Sequence, residues 1–189
     1  MQFMSSLQQE AYNYIKDLIL TNRLDVNNLY SETKLSKELG ISRTPLRDAV
    51  HRLAQEGYID IIPSKGFMLH QMNRKDVNET FQVRSALETY CTVQISKASS
   101  TRKAKKLFKE LDWIMECMND IMETTHSIKE FSEYDFQFHT KIIDYLENEQ
   151  FSNVFAMFMY RMKRLAELSL AHKGRMEQTY EEHMAILDC

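Results

Sequence analysis

Asp135 and His139 stand one helical turn apart, and Ile142 and Leu146 continue the same stripe, so both polar side chains point where apolar ones point. His183 falls in the same way on a stripe with Met176, Tyr180 and Leu187. Polar groups on core-facing positions must find partners, because an unpaired buried one costs about 1–3 kcal/mol. A carboxylate and two imidazoles meeting inside a helical bundle suit a divalent ion such as Zn²⁺, Ni²⁺ or Mn²⁺. A buried Asp–His hydrogen bond without metal would satisfy the same groups, and the residues alone leave both readings open. A third reading is a metal-dependent enzyme using Asp135, His139 and His183. It would need an open coordination position, a general base and substrate polarisers, and no HExxH or other hydrolase pattern accompanies these residues.

A second group lies near residue 43. Ser42, Arg43, Thr44 and Arg47 occupy the first turns of a helix that carries Pro45 where a missing N–H costs nothing. The amides and the positive dipole end of such a turn favour phosphate. Arg43 and Arg47 project from one face, opposite Leu46, Val50 and Leu53, and an exposed arginine pair can read guanine edges or clamp phosphates. The competing reading is a solvated face, with the arginines paired to Asp48 or nearby acids. Arg84 has Glu88 one turn ahead and can form an ion pair with it.

The elements that must position these groups follow from punctuation. The 189 residues include only four glycines and two prolines, where average usage would give roughly 13 and 9. Gly40, Pro45, Gly57, Pro63 and Gly66 fall in one short stretch, and Gly174 stands alone. An all-β fold needs many more turns, so long helices with one turn-rich segment are expected. Leu7, Ala11, Tyr14, Ile15 and Leu18 predict a helix over 5–22. Ser31 caps a short helix carrying Leu35 and Leu39 that ends at Gly40, and Ser42 opens a third that ends at Gly57. Residues 58–62 and 67–70 read as a hairpin turning at Pro63 to Gly66. Beyond Asn73 the pattern is helical over 74–98, 102–123, 127–147, 150–171 and 175–189. Domains at 1–72 and 73–189 are expected.

Composition narrows the classes further. Cys91, Cys117 and Cys189 are odd in number and without a CxxC pair, which fits a reducing compartment. No apolar run is long enough for a membrane span, and the N-terminus lacks the pattern of a signal peptide, so a cytoplasmic protein is expected. Net charge is −3, so any DNA contact must come from a local cluster. The basic run at Arg102 to Lys109 reads as a solvated helix face. The methionines from Met115 onward read as core filler, and Trp113 as a core or dimer-interface anchor.

Helix, short helix, glycine, helix and two-strand hairpin is the order of a winged helix-turn-helix. The string from Leu35 to Val50, LSKELGISRTPLRDAV, continuing through Leu53, Glu56-Gly57 and Pro63 to Gly66, resembles the GntR family of bacterial transcription regulators. Asp135-Phe136-Gln137-Phe138-His139, Glu181-Glu182-His183 and Val83 to Glu88 resemble the helical FCD domain of its FadR branch. The resemblance implies a mainly α protein, a winged helix-turn-helix followed by an all-α bundle. It implies DNA contacts from Ser42, Arg43, Thr44 and Arg47, with Lys65 and Gly66 at the wing tip. It implies a metal held by Asp135, His139 and His183, and Arg84 facing a cavity for a small carboxylate effector. A homodimeric regulator, such as a repressor, on a pseudo-palindromic operator follows, with no catalytic activity. The family's metal-binding members add a third histidine from a further helix. This chain ends six residues after His183, so that helix is expected to be lacking and the site incomplete, with His126 and His172 the spare histidines.

Overall fold

A computed structural model of the chain describes residues 6–21 and 23–188. The expected helix ends at 5 and 22, and Cys189, lie outside the described residues. Element order is α1 (Ser6–Leu20), α2 (Glu32–Glu38), α3 (Arg43–Gln55), β1 (Ile59–Ile62), β2 (Gly66–Leu69), α4 (Arg74–Lys97), α5 (Arg102–Glu123), α6 (Ile128–Asp144), α7 (Glu149–Leu170) and α8 (Arg175–Leu187). The chain divides into two compact units between Asn73 and Arg74. No helix among the described residues is long and apolar enough to cross a membrane.

In the first unit α1 packs on α3, which in turn contacts α2 and β1. Leu46, Ala49, Val50 and Leu53 are fully buried, as the spacing of the apolar residues in α3 requires. The buried stripe of α1 runs through Ala11, Tyr12, Ile15, Leu18 and Ile19, whereas Leu7 is exposed. Tyr14, expected on this face, is only half-buried, and the buried tyrosine is Tyr12: it donates to Glu56 Oε2 at 2.5 Å, and the Arg52 guanidinium lies over its ring at 4.3 Å. A buried phenol needs such an acceptor. Ser31 caps α2 by accepting from Lys34 N–H. Ser42 stands at the N-cap of α3 with extended backbone, yet its hydroxyl makes no capping bond, so the expected cap is positional only.

The hairpin pairs antiparallel from Ile59↔Leu69 to Ile62↔Gly66. Tyr30 extends it, exchanging backbone hydrogen bonds of 2.7 and 3.0 Å with Phe67 and stacking on its ring. Gly66 makes this approach possible. Its φ is 131°, and a Cβ there would lie 2.0 Å from the Tyr30 carbonyl oxygen. Gly66→Ala is therefore expected to destabilise the first unit by at least about 2 kcal/mol, read as a drop in its urea midpoint. An unchanged midpoint would show that the Tyr30 bridge is dispensable.

In the second unit α6 lies against α5, α7 and α4, and α8 packs on α5. Each junction has a local cause. Thr101, Ser127 and Asn148 cap α5, α6 and α7 by accepting backbone N–H groups. Helix α6 stops at Asp144, three residues short of the expected end, and Glu147 takes a left-handed φ of 52° before the Asn148 cap. Gly174, also left-handed, precedes α8. The core gathers Phe131, Phe138, Ile143, Ile114 and Met118. Met115, Met162 and Met176 are buried with them and Met122 packs from the side, whereas Met157, expected among the core-filling methionines, is exposed. Trp113 is not a core anchor: it is half exposed and meets Tyr134 edge-on at 5.9 Å.

Candidate metal centre and nucleic-acid interface

Asp135 and His139 project from adjacent turns of α6, and α8 brings His183 to them. All three are buried. His183 Nε2 lies 3.1 Å from His139 Nε2 and 3.2 Å from Asp135 Oδ1, and His139 Nε2 lies 3.6 Å from the same oxygen. Three donors bound to one tetrahedral ion at about 2.0–2.2 Å lie roughly 3.3–3.6 Å from one another. The triangle is within a few tenths of an ångström of the size a single transition-metal ion needs, two of its edges being slightly short, and its donor set of two imidazoles and one carboxylate suits Zn²⁺, Ni²⁺ or Mn²⁺.

The tautomer of His183 supports the same fit. Its Nδ1–H donates to the Thr179 carbonyl at 2.7 Å, which leaves the Nε2 lone pair facing the triangle. Its ring rests against Phe138, with centroids 4.3 Å apart. Burial opposes ionisation of Asp135, but the two imidazoles beside it, His139 and His183, outweigh it and hold the carboxyl well below the usual carboxylate range. For His139, burial and the neighbouring Arg84 disfavour a proton, while Asp135 and Glu88 favour it more, so its net shift is upward.

Helix α4 supplies a third side to the centre. Arg84 Nε donates to Glu88 Oε1 at 2.7 Å, and Arg84 Nη2 contacts His139 Nε2. The ion pair expected of Arg84 with Glu88 forms, and the same side chain lies against His139. Glu88 is the residue whose part in the cluster the sequence did not reveal. Its Oε1 also lies 3.1 Å from His139 Nδ1, an ion-pair contact off-line for a hydrogen bond. Burial opposes its ionisation, but His139 and Arg84 prevail and lower its pKa. The spacing of Arg84 and Glu88 signalled an ion pair, but nothing in it signalled that the pair would lie on His139. The cavity beside Arg84, Asp135 and His139, closed by Phe155 and Met162, measures about 10 Å³, roughly the room for one water. His126 and His172 lie on exposed turns outside the cluster.

In the first unit Ser42, Arg43, Thr44, Arg47 and Lys65 are all exposed, and Gly66 is half-buried against Tyr30. Arg47 Nε lies 3.7 Å from Glu32 Oε2 on α2, so its acidic neighbour comes from another helix. Asp48, the acid next in sequence, instead accepts from Gln8 of α1 at 2.5 Å. Lys65 sits in the turn of the hairpin beside Ser64, whose φ is 62°. An exposed basic helix face over a tightly packed apolar one, with a basic hairpin tip, is a surface that duplex DNA can accept in its major groove.

A winged helix-turn-helix head and a helical body with a buried Asp–His–His centre define a class: DNA-binding transcriptional regulators with a helical second domain. The family profile for bacterial regulatory proteins of the gntR family matches residues 7–69, and that for the FCD domain matches residues 79–189. The chain belongs to the GntR family, in its FCD branch. It is 24% identical over 179 residues to the uncharacterized HTH-type transcriptional regulator YdhC of Bacillus subtilis, covering 95% of this chain and 78% of that protein. It is 26% identical over 175 residues to the gluconate operon transcriptional repressor of Bacillus licheniformis, covering 90% and 67%. Among solved structures, a GntR transcriptional regulator from Rhodococcus sp. RHA1 shares the fold with a TM-score of 0.73 at 12% identity, over 97% of this chain and 87% of that one. E. coli McbR/YncC shares it with a TM-score of 0.58 at 17% identity, over 98% of each chain.

Proposed function

We propose that this transcriptional regulator is a metal-assisted sensor of a small carboxylate, with residues 1–72 reading a pseudo-palindromic operator as a homodimer and residues 73–189 holding the effector. The observation that carries the reading is the buried triangle of Asp135, His139 and His183 with Arg84 against it. A divalent ion there would supply a Lewis-acidic position for a carboxylate oxygen, and Arg84 a forked donor for the other oxygen. In the head, Arg43 and Arg47 reach base edges or phosphates, Ser42 and Thr44 the backbone beside the helix entry, and Lys65 the groove flanking the wing. Gly66 serves the wing by letting it close on Tyr30.

Control requires that the effector bind the DNA-competent and incompetent arrangements of the dimer unequally, since equal binding moves nothing. The B. licheniformis relative is named a gluconate operon repressor. Gluconate is a sugar acid, and this supports both a carboxylate effector and repression as the sense of control. Such a protein acts on DNA in the cytoplasm. The test is a footprint of the purified protein on the DNA upstream of its own gene and its neighbours. Two protected half-sites about one helical turn apart are expected. Sequence-independent protection at physiological salt would sink the reading.

A further inference from the structure

A guanidinium at Nε2 requires His139 to be neutral there, with its proton on Nδ1 toward Glu88, and Nε2 then has one in-plane lone pair and more than one candidate for it. A neutral imidazole offers a single acceptor nitrogen, and a guanidinium has donors only. The contact from Arg84 Nη2 therefore uses the same lone pair that faces Asp135 and His183. An ion in the triangle would need that lone pair too. Arg84 remains tethered in either case, because its Nε bond to Glu88 does not involve His139. Asp135, Glu88 and Arg84 together leave one net negative charge beside the two imidazoles; a dication reverses that sign and disfavours a guanidinium against it.

We propose that Arg84 is a built-in competitor of the metal ion: it occupies His139 Nε2 in the ion-free protein, and loading the ion turns the guanidinium outward about its Glu88 tether. The inference rests on the metal reading of the centre given above. It makes Arg84 a positioning residue whose availability to an anion depends on the state of the triangle. Ion binding and anion binding are then linked through one side chain, each favouring the other.

The test is the Zn²⁺ affinity of the full chain, stripped with chelator and titrated against a chelating dye, for wild type, Arg84→Ala, Arg84→Lys and Asp135→Ala. Both Arg84 variants should bind Zn²⁺ roughly tenfold more tightly or better, because a hydrogen bond to a charged group no longer has to be broken. Lysine keeps the charge but lacks the fork that spans Glu88 and His139. If Arg84→Ala tightens binding while Arg84→Lys matches wild type, simple charge repulsion explains the effect and the competition is refuted. If neither tightens binding while Asp135→Ala loses it, the metal reading stands and the competition falls. If Asp135→Ala binds as wild type does, the metal reading falls and takes the inference with it. Circular-dichroism melts in chelator establish that each variant is folded, and Arg84→Lys carries the test should the alanine variant not fold.

Discussion

Replacing Arg43 and Arg47 together by alanine lowers affinity for the operator by roughly 10²–10³-fold, because each arginine lost from a base edge costs about 1–3 kcal/mol. The protein itself should lose almost nothing. Both side chains are exposed, and the one ion pair at risk, Arg47 with Glu32, is a 3.7 Å surface contact of a kind worth about 0–1 kcal/mol. That contrast separates recognition from folding. Gel shifts at several salt concentrations give both the affinity and its slope, which should fall by up to about two if the arginines bind phosphate instead of bases. A double variant with unchanged specific binding would remove α3 as the recognition helix, whatever the rest of the head does.

Zn²⁺ should raise the melting temperature of the second unit by roughly 10 °C at a free concentration a hundredfold above its Kd. Ligand linkage gives about 2.7 kcal/mol under that condition, and a domain of this size gains about 4 °C per kcal/mol. Asp135→Ala should show no such rise. It should also melt lower in chelator, because removing one partner of a buried charged set costs about 3–5 kcal/mol. Acid sharpens the test. The folded-state pKa of Asp135 lies below its unfolded value, so its contribution is fully present above about pH 4 and is lost as pH falls toward the folded value. Asp135→Asn removes that part of the acid dependence while keeping the shape. A metal-induced rise that survives in Asp135→Ala would place the ion elsewhere.

The two halves of the molecule were unequally legible in the sequence. In the head, nearly every decisive residue has a local reason to be where it is: Gly40 and Gly57 turn with positive φ, Pro45 enters a first helical turn, and Leu46, Val50 and Leu53 repeat at helical spacing. Local rules act over a few residues, so the string itself carries them. Leu7 and Tyr12 mark where this ends. The periodicity of α1 places Leu7 on the apolar face, yet Leu7 is exposed and Tyr12 is buried with its hydroxyl on the Glu56 carboxylate, 44 positions away.

The helical body divides in the same way. Its helix limits are set locally by the caps Thr101, Ser127 and Asn148 and by the left-handed Gly174, so the helical spans were legible to within a few residues. That Asp135 and His139 share a stripe is likewise a property of one helix. That they meet His183 at 3.1–3.6 Å is not, since three helices and two turns must pack before the distance exists. Arg84 and Glu88 show the limit most plainly. As a pair one turn apart they are ordinary surface chemistry, and what gives them a role is α4 lying across α6 so that both reach His139. By itself the sequence determined the elements, the exposed basic face of α3 and the donor types, because those depend on period, capping and residue chemistry. Which nitrogen faces which partner, and that one arginine and one ion want the same lone pair, were decided only by tertiary packing, because a lone pair is directional and its direction is set by the neighbouring helices.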